Sequence, residues 1–285
     1  MHRKSMKKYG CFMKSSMWFL LPSLSGVALF VLIPFADVVK RSVQTAVKGQ
    51  FCGLANYKAV FTNRAFLLAL KNTACFAAVG LPLLIILSLL LSLALNRCRW
   101  EQRLKSFFLF PLAVPTAALV LIWKLFFYKN GIINDGLHGL GIQAVDWLGS
   151  GAAFWVLIIS YVWKNLGYTV VLWLAGMKHI PGHQIEAARV DGATGRKCFQ
   201  YIILPQLKPV FYTITILSFL NSFRVFREAY LVAGAYPQER MYLLQHLFHN
   251  WFTNLEVDKM AAAGVFLSLL FAAFVVALGK ALPDD

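Results

Sequence analysis

QIEAARVDGATGRKCFQYIILPQLKP, running from Gln184 to Pro209, is a polar island between two long apolar runs. Its first residues, Gln184 to Val190, are rich in Glu, Ala and Arg and read as a helix. Gly192 and Gly195 follow, and a second helical piece then runs towards Pro205 and Pro209. Glycine just after a helix suits a left-handed cap because it has no Cβ to clash there, and Thr194 is placed to cap the next helix. The expectation is a short, bent helix pair. An ordinary helix–turn–helix connection explains the glycines. It does not explain the full spacing of Glu186-Ala187-Ala188, Gly192, then Ile202 or Ile203, Leu204 and Pro205.

The chain around this island has 285 residues, 59% hydrophobic and 14% charged, with a mean hydropathy of +0.63. Soluble domains carry about 25% charged residues, so this composition points to a membrane protein. The net charge of +16 would suggest nucleic acid in a soluble chain. Here it suits loops that lie beside anionic lipid, and no nucleic-acid partner is expected. Cys11, Cys52, Cys75, Cys98 and Cys198 show neither paired nor metal-type spacing, so no disulfide framework or zinc site follows.

Apolar runs recur at about 17–35, 73–95, 106–127, 152–177, 209–231 and 260–280. Each is about 20 residues or slightly longer, the length that crosses a bilayer core at 1.5 Å rise per residue. The first follows Arg3, Lys4, Lys7, Lys8 and Lys14, an order shared with signal peptides. It is too long for such a segment, and its Ile33-Pro34-Phe35 end lacks a small-residue cleavage site. It reads as an uncleaved span. The expected fold is therefore all-α, a polytopic protein with six transmembrane helices forming one domain over residues 1–285. With the N-terminus inside, inner segments carry 15 Lys and Arg and outer ones 8. That bias favours both termini in the cytoplasm, together with the loop at about 178–208.

No nucleotide-binding motif is present: Gly192-Ala-Thr-Gly195-Arg-Lys lacks the four-residue gap and the Gly-Lys-Ser/Thr ending. No cofactor is expected in this chain, and any driving force has to come from another one. His246 and His249 lack a carboxylate or cysteine to complete a metal set. Ionisable groups inside spans are more informative, because each costs about 2.5–3.5 kcal/mol at the centre of a helix and so tends to face a cavity or a partner. Tyr161, Lys164, Asn165 and Tyr168 share one helical face, and Asn221, Arg224 and Glu228 recur in the same way on the next span, with Arg224 and Glu228 four apart and expected to pair. Either a hydrated path or polar glue between helices accounts for these two stripes.

From about Met17 to Leu282 the chain resembles permease subunits of binding-protein-dependent ATP-driven importers, of the sugar and glycerol-phosphate type. The resemblance rests on EAARVDGA (Glu186 to Ala193), FCGLANYKAVF (Phe51 to Phe61), NRCRWEQRLKSFFLFPLAVP (Asn96 to Pro115) and YVWKNLGYTVVLWLAGMKHIP (Tyr161 to Pro181). It implies an inner-membrane subunit that pairs with a second permease, sits on two ATPase subunits that bind the ATP, and receives solute from an external binding protein. It further implies that Glu186, Ala187, Ala188, Asp191 and Gly192 contact the ATPase, and that the cavity opens alternately to either side. One stretch departs from the family pattern: AYLVAGAYPQER (Ala229 to Arg240) keeps Gly234 and Pro237 but has Ala235 and Tyr236 where glycines are usual. The rival reading is an ion-coupled secondary transporter using Lys164, Arg224 and Glu228, although neither inverted repeats nor broken helices are evident in the sequence. A membrane-embedded enzyme would need a clustered nucleophile and base, which the sequence does not offer.

Overall fold

The computed structural model describes residues 20–96 and 98–281. The amino-terminal basic run, the start of the first expected span and Arg97 lie outside them. The chain forms two compact units, one of residues up to Asn63 together with Trp251–Leu270, the other of Arg64–Asn250 together with residues from Phe271 on.

In the first unit, helix α1 (Leu20–Ser42) runs past the expected end near Phe35. The polar residues beyond that point extend it, because Asp37 and Arg41 stand one turn apart and pair at 2.6 Å. Just before Pro34 the helix widens into a π turn, with Ile33 N–H donating to the Ala28 carbonyl. Proline removes a ladder donor and crowds the carbonyl four residues back, and the wider turn accommodates both. Helix α2 (Ala55–Thr62) is held by Asn56, whose Nδ2 donates to the carbonyls of Ser42 at 3.1 Å and Gln44 at 2.8 Å.

The second unit begins with α3 (Arg64–Leu95), about two and a half turns longer than the apolar run that announces it. Helices α4 (Glu101–Ala113) and α5 (Thr116–Phe127) occupy the third expected span, which is broken rather than continuous. The break lies at Val114 and Pro115, both extended (ψ 123° and 139°). Steric conflict with the proline ring drives the preceding residue out of helical geometry, and this local rule overrides the apolar continuity. A short α6 (Ile132–Gly139) follows. Next come α7 (Ala153–Lys178), α8 (Gly182–Val190) and α9 (Gly195–Cys198). A second π turn at Phe199–Ile203, again ahead of a proline (Pro205), leads to α10 (Lys208–Ser222). The fifth expected span is also interrupted, by a 3₁₀ turn at Phe223–Val225 before α11 (Phe226–Ala233). Helices α12 (Leu244–Thr253) and α13 (Val257–Ala281) complete the order.

Among the described residues, six stretches are long and apolar enough to cross a membrane: Leu20–Ser42, Arg64–Leu95, Thr116–Gly139, Ala153–Lys178, Lys208–Ala233 and Val257–Ala281. Within the second unit α7 is the centre, with α3, α4 and α10 packed on it. Phe76 and Leu84 of α3 meet Leu157, Ile158 and Tyr161 of α7. Further along, buried Trp173 donates to Ser88 Oγ at 3.1 Å. The approach of α4 to α7 depends on Gly167: a Cβ there would overlap the Phe108 carbonyl. Lipid tails offer helices no hydrophobic drive to associate, so such close backbone contact contributes much of the attraction.

Candidate functional site: an exposed helix pair and a polar cavity

The island from Gln184 onward folds into the bent helix pair that its glycines suggest. Helix α8 ends in a two-bond left-handed cap, with Gly192 N–H donating to the Arg189 carbonyl at 3.0 Å and Ala193 N–H to the Ala188 carbonyl at 2.8 Å. Gly192 carries the required positive φ of 82°, the conformation in which a Cβ is penalised. Thr194 then caps α9, its Oγ1 accepting from Lys197 N–H at 3.4 Å. Glu186, Ala187, Asp191 and Gly192 are exposed, and Ala188 is half-buried. Val190 is 88% exposed and Tyr201 76%, so the pair displays apolar as well as charged groups. The base is anchored by buried Cys198 and by Gln206 Nε2, which donates to Gln184 Oε1 at 2.7 Å. Beside it Glu101, at the start of α4, pairs with Lys105 at 2.5 Å and with Lys178 at the end of α7 at 2.8 Å. Hydrogen bonds from Lys105 first and Lys178 second hold its carboxyl below the usual range.

The two polar stripes converge. A cavity of about 810 Å³ in the second unit is lined by Tyr161, Lys164, Asn165 and Tyr168 of α7 and by Asn221, Arg224 and Glu228 of the following span. All seven residues singled out in the sequence line it. Tyr161 is a wall rather than a free group: it is 1% exposed and its hydroxyl donates to the Ser218 carbonyl at 2.7 Å, tying α7 to α10. Asn165 Nδ2 donates to the Tyr161 carbonyl at 2.8 Å.

The expected Arg224–Glu228 pair does not form. Glu228 pairs instead with Lys164 across helices, and Lys164 also reaches Thr116 Oγ1 at 3.4 Å. The reason lies in the backbone. Arg224 sits in the 3₁₀ turn and Glu228 in α11, so the 100° step that would put residues four apart on one face does not run between them. Arg224 and Arg227 have no ion-pair partner among the described residues. Glu228 Oε2 is buried without a hydrogen bond there. Thr116 and Ser160 also line the cavity and were missed. Thr116 could have been found from Pro115, which marks a helix start.

Because the Glu228 side chain is 5% exposed and that of Lys164 25%, losing the lysine strands the better-buried charge. Lys164→Met is therefore expected to cost about 3 kcal/mol or more and Glu228→Gln less, with the double change milder than their sum. Thermal unfolding of the purified complex measures all three, and additive losses would mean that the two side chains do not interact.

On α12, His246 is fully buried, accepts from Leu243 N–H at Nδ1 (3.2 Å) and is enclosed by the rings of Phe226 and Tyr242. Burial first, and the neighbouring His249 second, push its pKa down to about 4, so the imidazole is neutral at physiological pH.

The family model described as "Binding-protein-dependent transport system inner membrane component" matches residues 85–283. The trehalose/maltose transport system permease protein MalF of Thermococcus litoralis is 33% identical over 264 residues, covering 90% of each chain. The sn-glycerol-3-phosphate transport system permease protein UgpA of Yersinia pestis is 28% identical over 267 residues, again 90% of each. Among solved structures, a chain of a bacterial ABC transporter involved in the import of the acidic polysaccharide alginate superposes with a TM-score of 0.82 at 20% identity. It covers 99% of this chain and 98% of that one. The matched segment holds α7 to α11, and with them both the exposed pair and most of the cavity wall. The chain belongs to the family of inner-membrane components of binding-protein-dependent transport systems.

Proposed function

We propose that this protein is the permease subunit of an ATP-driven importer for a carbohydrate or a related polyol or glycerol phosphate. A second permease completes the pore, two ATPase subunits bind the ATP, and an external binding protein delivers solute. Both termini and the α8–α9 pair face the cytoplasm, where Glu186, Ala187, Ala188, Asp191 and Gly192 meet the ATPase. Lys164, Asn165, Tyr168, Asn221, Arg224 and Glu228 border the path, with Tyr161 as its wall.

The observation that carries this reading is continuity. Two of the helical segments that line the cavity, α7 and α10–α11, are joined by the exposed pair. A displacement of that pair is therefore passed directly to the cavity walls, which is what coupling of hydrolysis to alternating access requires. The similarity to maltose and glycerol-phosphate permeases supports the solute class. The test is uptake by the assembled complex in cells depleted of ATP while the proton gradient is maintained. Uptake should stop. Persistence would assign Lys164 and Glu228 to ion coupling instead.

A further inference from the structure

We propose that the solute passing this cavity is anionic, a carbohydrate or polyol bearing a carboxylate or phosphate. The inference rests on the permease reading above. The cavity presents Lys164, Arg224 and Arg227 against a single carboxylate, Glu228. That carboxylate is committed to Lys164, so the two arginines are left without an ion-pair partner among the described residues.

Their placement is specific. Arg224 lies in the 3₁₀ turn and Arg227 is the second residue of α11, three positions on, and both are exposed at the cavity. An unpaired guanidinium within a span is costly unless water or a counter-charge meets it. A guanidinium also offers planar paired donors matched to carboxylate or phosphate oxygens. Around them Asn165, Asn221 and Tyr168 supply groups suited to neutral hydroxyls, and Phe226 an apolar face for ring carbons. A neutral sugar would use these polar groups but leave two cations uncompensated. An anion uses both sets.

The experiment uses the complete complex with its binding protein in proteoliposomes, supplied with three probes: a galacturonate oligomer, glycerol 3-phosphate and the neutral maltotetraose. Uptake of a charged probe in preference to the neutral one is expected, and the two charged probes separate carboxylate from phosphate. Arg224→Gln and Arg227→Gln should each lower charged-probe uptake by about tenfold or more and weaken its dependence on salt. Preference for maltotetraose, uptake indifferent to charge, or no uptake of any probe by a complex that hydrolyses ATP would overturn the proposal. So would arginine variants that import the charged probe normally. Failure of the variants to assemble would assign the arginines to an ion pair with the second permease and overturn it equally. A wild-type complex that shows no ATP hydrolysis in response to its binding protein marks instead a failure of the permease reading.

Discussion

Glu186→Lys is expected to release the ATPase subunits from the permease and abolish uptake, while the solute bound by the external binding protein stays the same. Glu186 is exposed on α8, so its replacement disturbs nothing inside the chain and any effect must arise at a partner surface. A carboxylate accepts two parallel hydrogen bonds from an arginine, which fixes orientation as well as attraction. Removing one partner of such an interfacial pair costs about 2–5 kcal/mol, or roughly thirtyfold to several thousandfold in affinity, and reversing the charge adds repulsion. Gly192→Asp should act more mildly. A Cβ at Gly192 meets nothing within 4 Å, so within this chain the penalty comes only from the positive φ, about 1–2 kcal/mol. Co-purification of the ATPase with each variant, alongside uptake, measures both. Full retention and full uptake in the two variants would show that the exposed pair is not the docking element.

Gly167→Ala should prevent accumulation of a correctly packed permease. Its added methyl would fall on the Phe108 carbonyl oxygen and carbon, with Leu109 N at 3.0 Å. These are backbone atoms, which cannot rotate aside as a side chain does, so α4 and α7 must separate. Overpacking typically costs about 1–3 kcal/mol, and a rigid backbone neighbour puts this site at or above the upper end. Gly264→Ala serves as the control, since a Cβ there meets nothing within 4 Å. Membrane levels and thermal unfolding of the two variants compare them directly. Equal behaviour would mean that the interhelical contact is looser than its geometry indicates.

These two glycines also mark what could be read from the sequence. Gly192 was legible because its role is local: a helix-forming run, a glycine and a capping threonine lie within a dozen residues. Gly167 was not, because the atoms it must avoid belong to Phe108, 59 positions earlier, and no spacing rule carries that information. The spans were legible from apolar length, yet their interiors were less so. The break at Val114-Pro115, which no sequence reading placed, was concealed by the unbroken apolar count. The cavity face of α7 emerged from regular helical spacing because α7 is a regular helix. The same arithmetic misassigned the partner of Glu228, because the 3₁₀ turn at Phe223–Val225 leaves no periodic signature in side-chain chemistry.

The tight crossing at Gly167 has a mechanical consequence. If α7 pivoted at that contact, its two arms would be unequal. The arm from Gly167 to Lys178, the end of α7 just before the exposed pair, is about 16 Å long, and the arm to Lys164 only about 4.5 Å. Pivoting there turns a push of about 4 Å at the long end into an opposite movement of about 1 Å at Lys164. A shift of that size takes a hydrogen bond out of range. A pivot there would exchange travel for force, with the salt bridge between Lys164 and Glu228 as the load on its short arm.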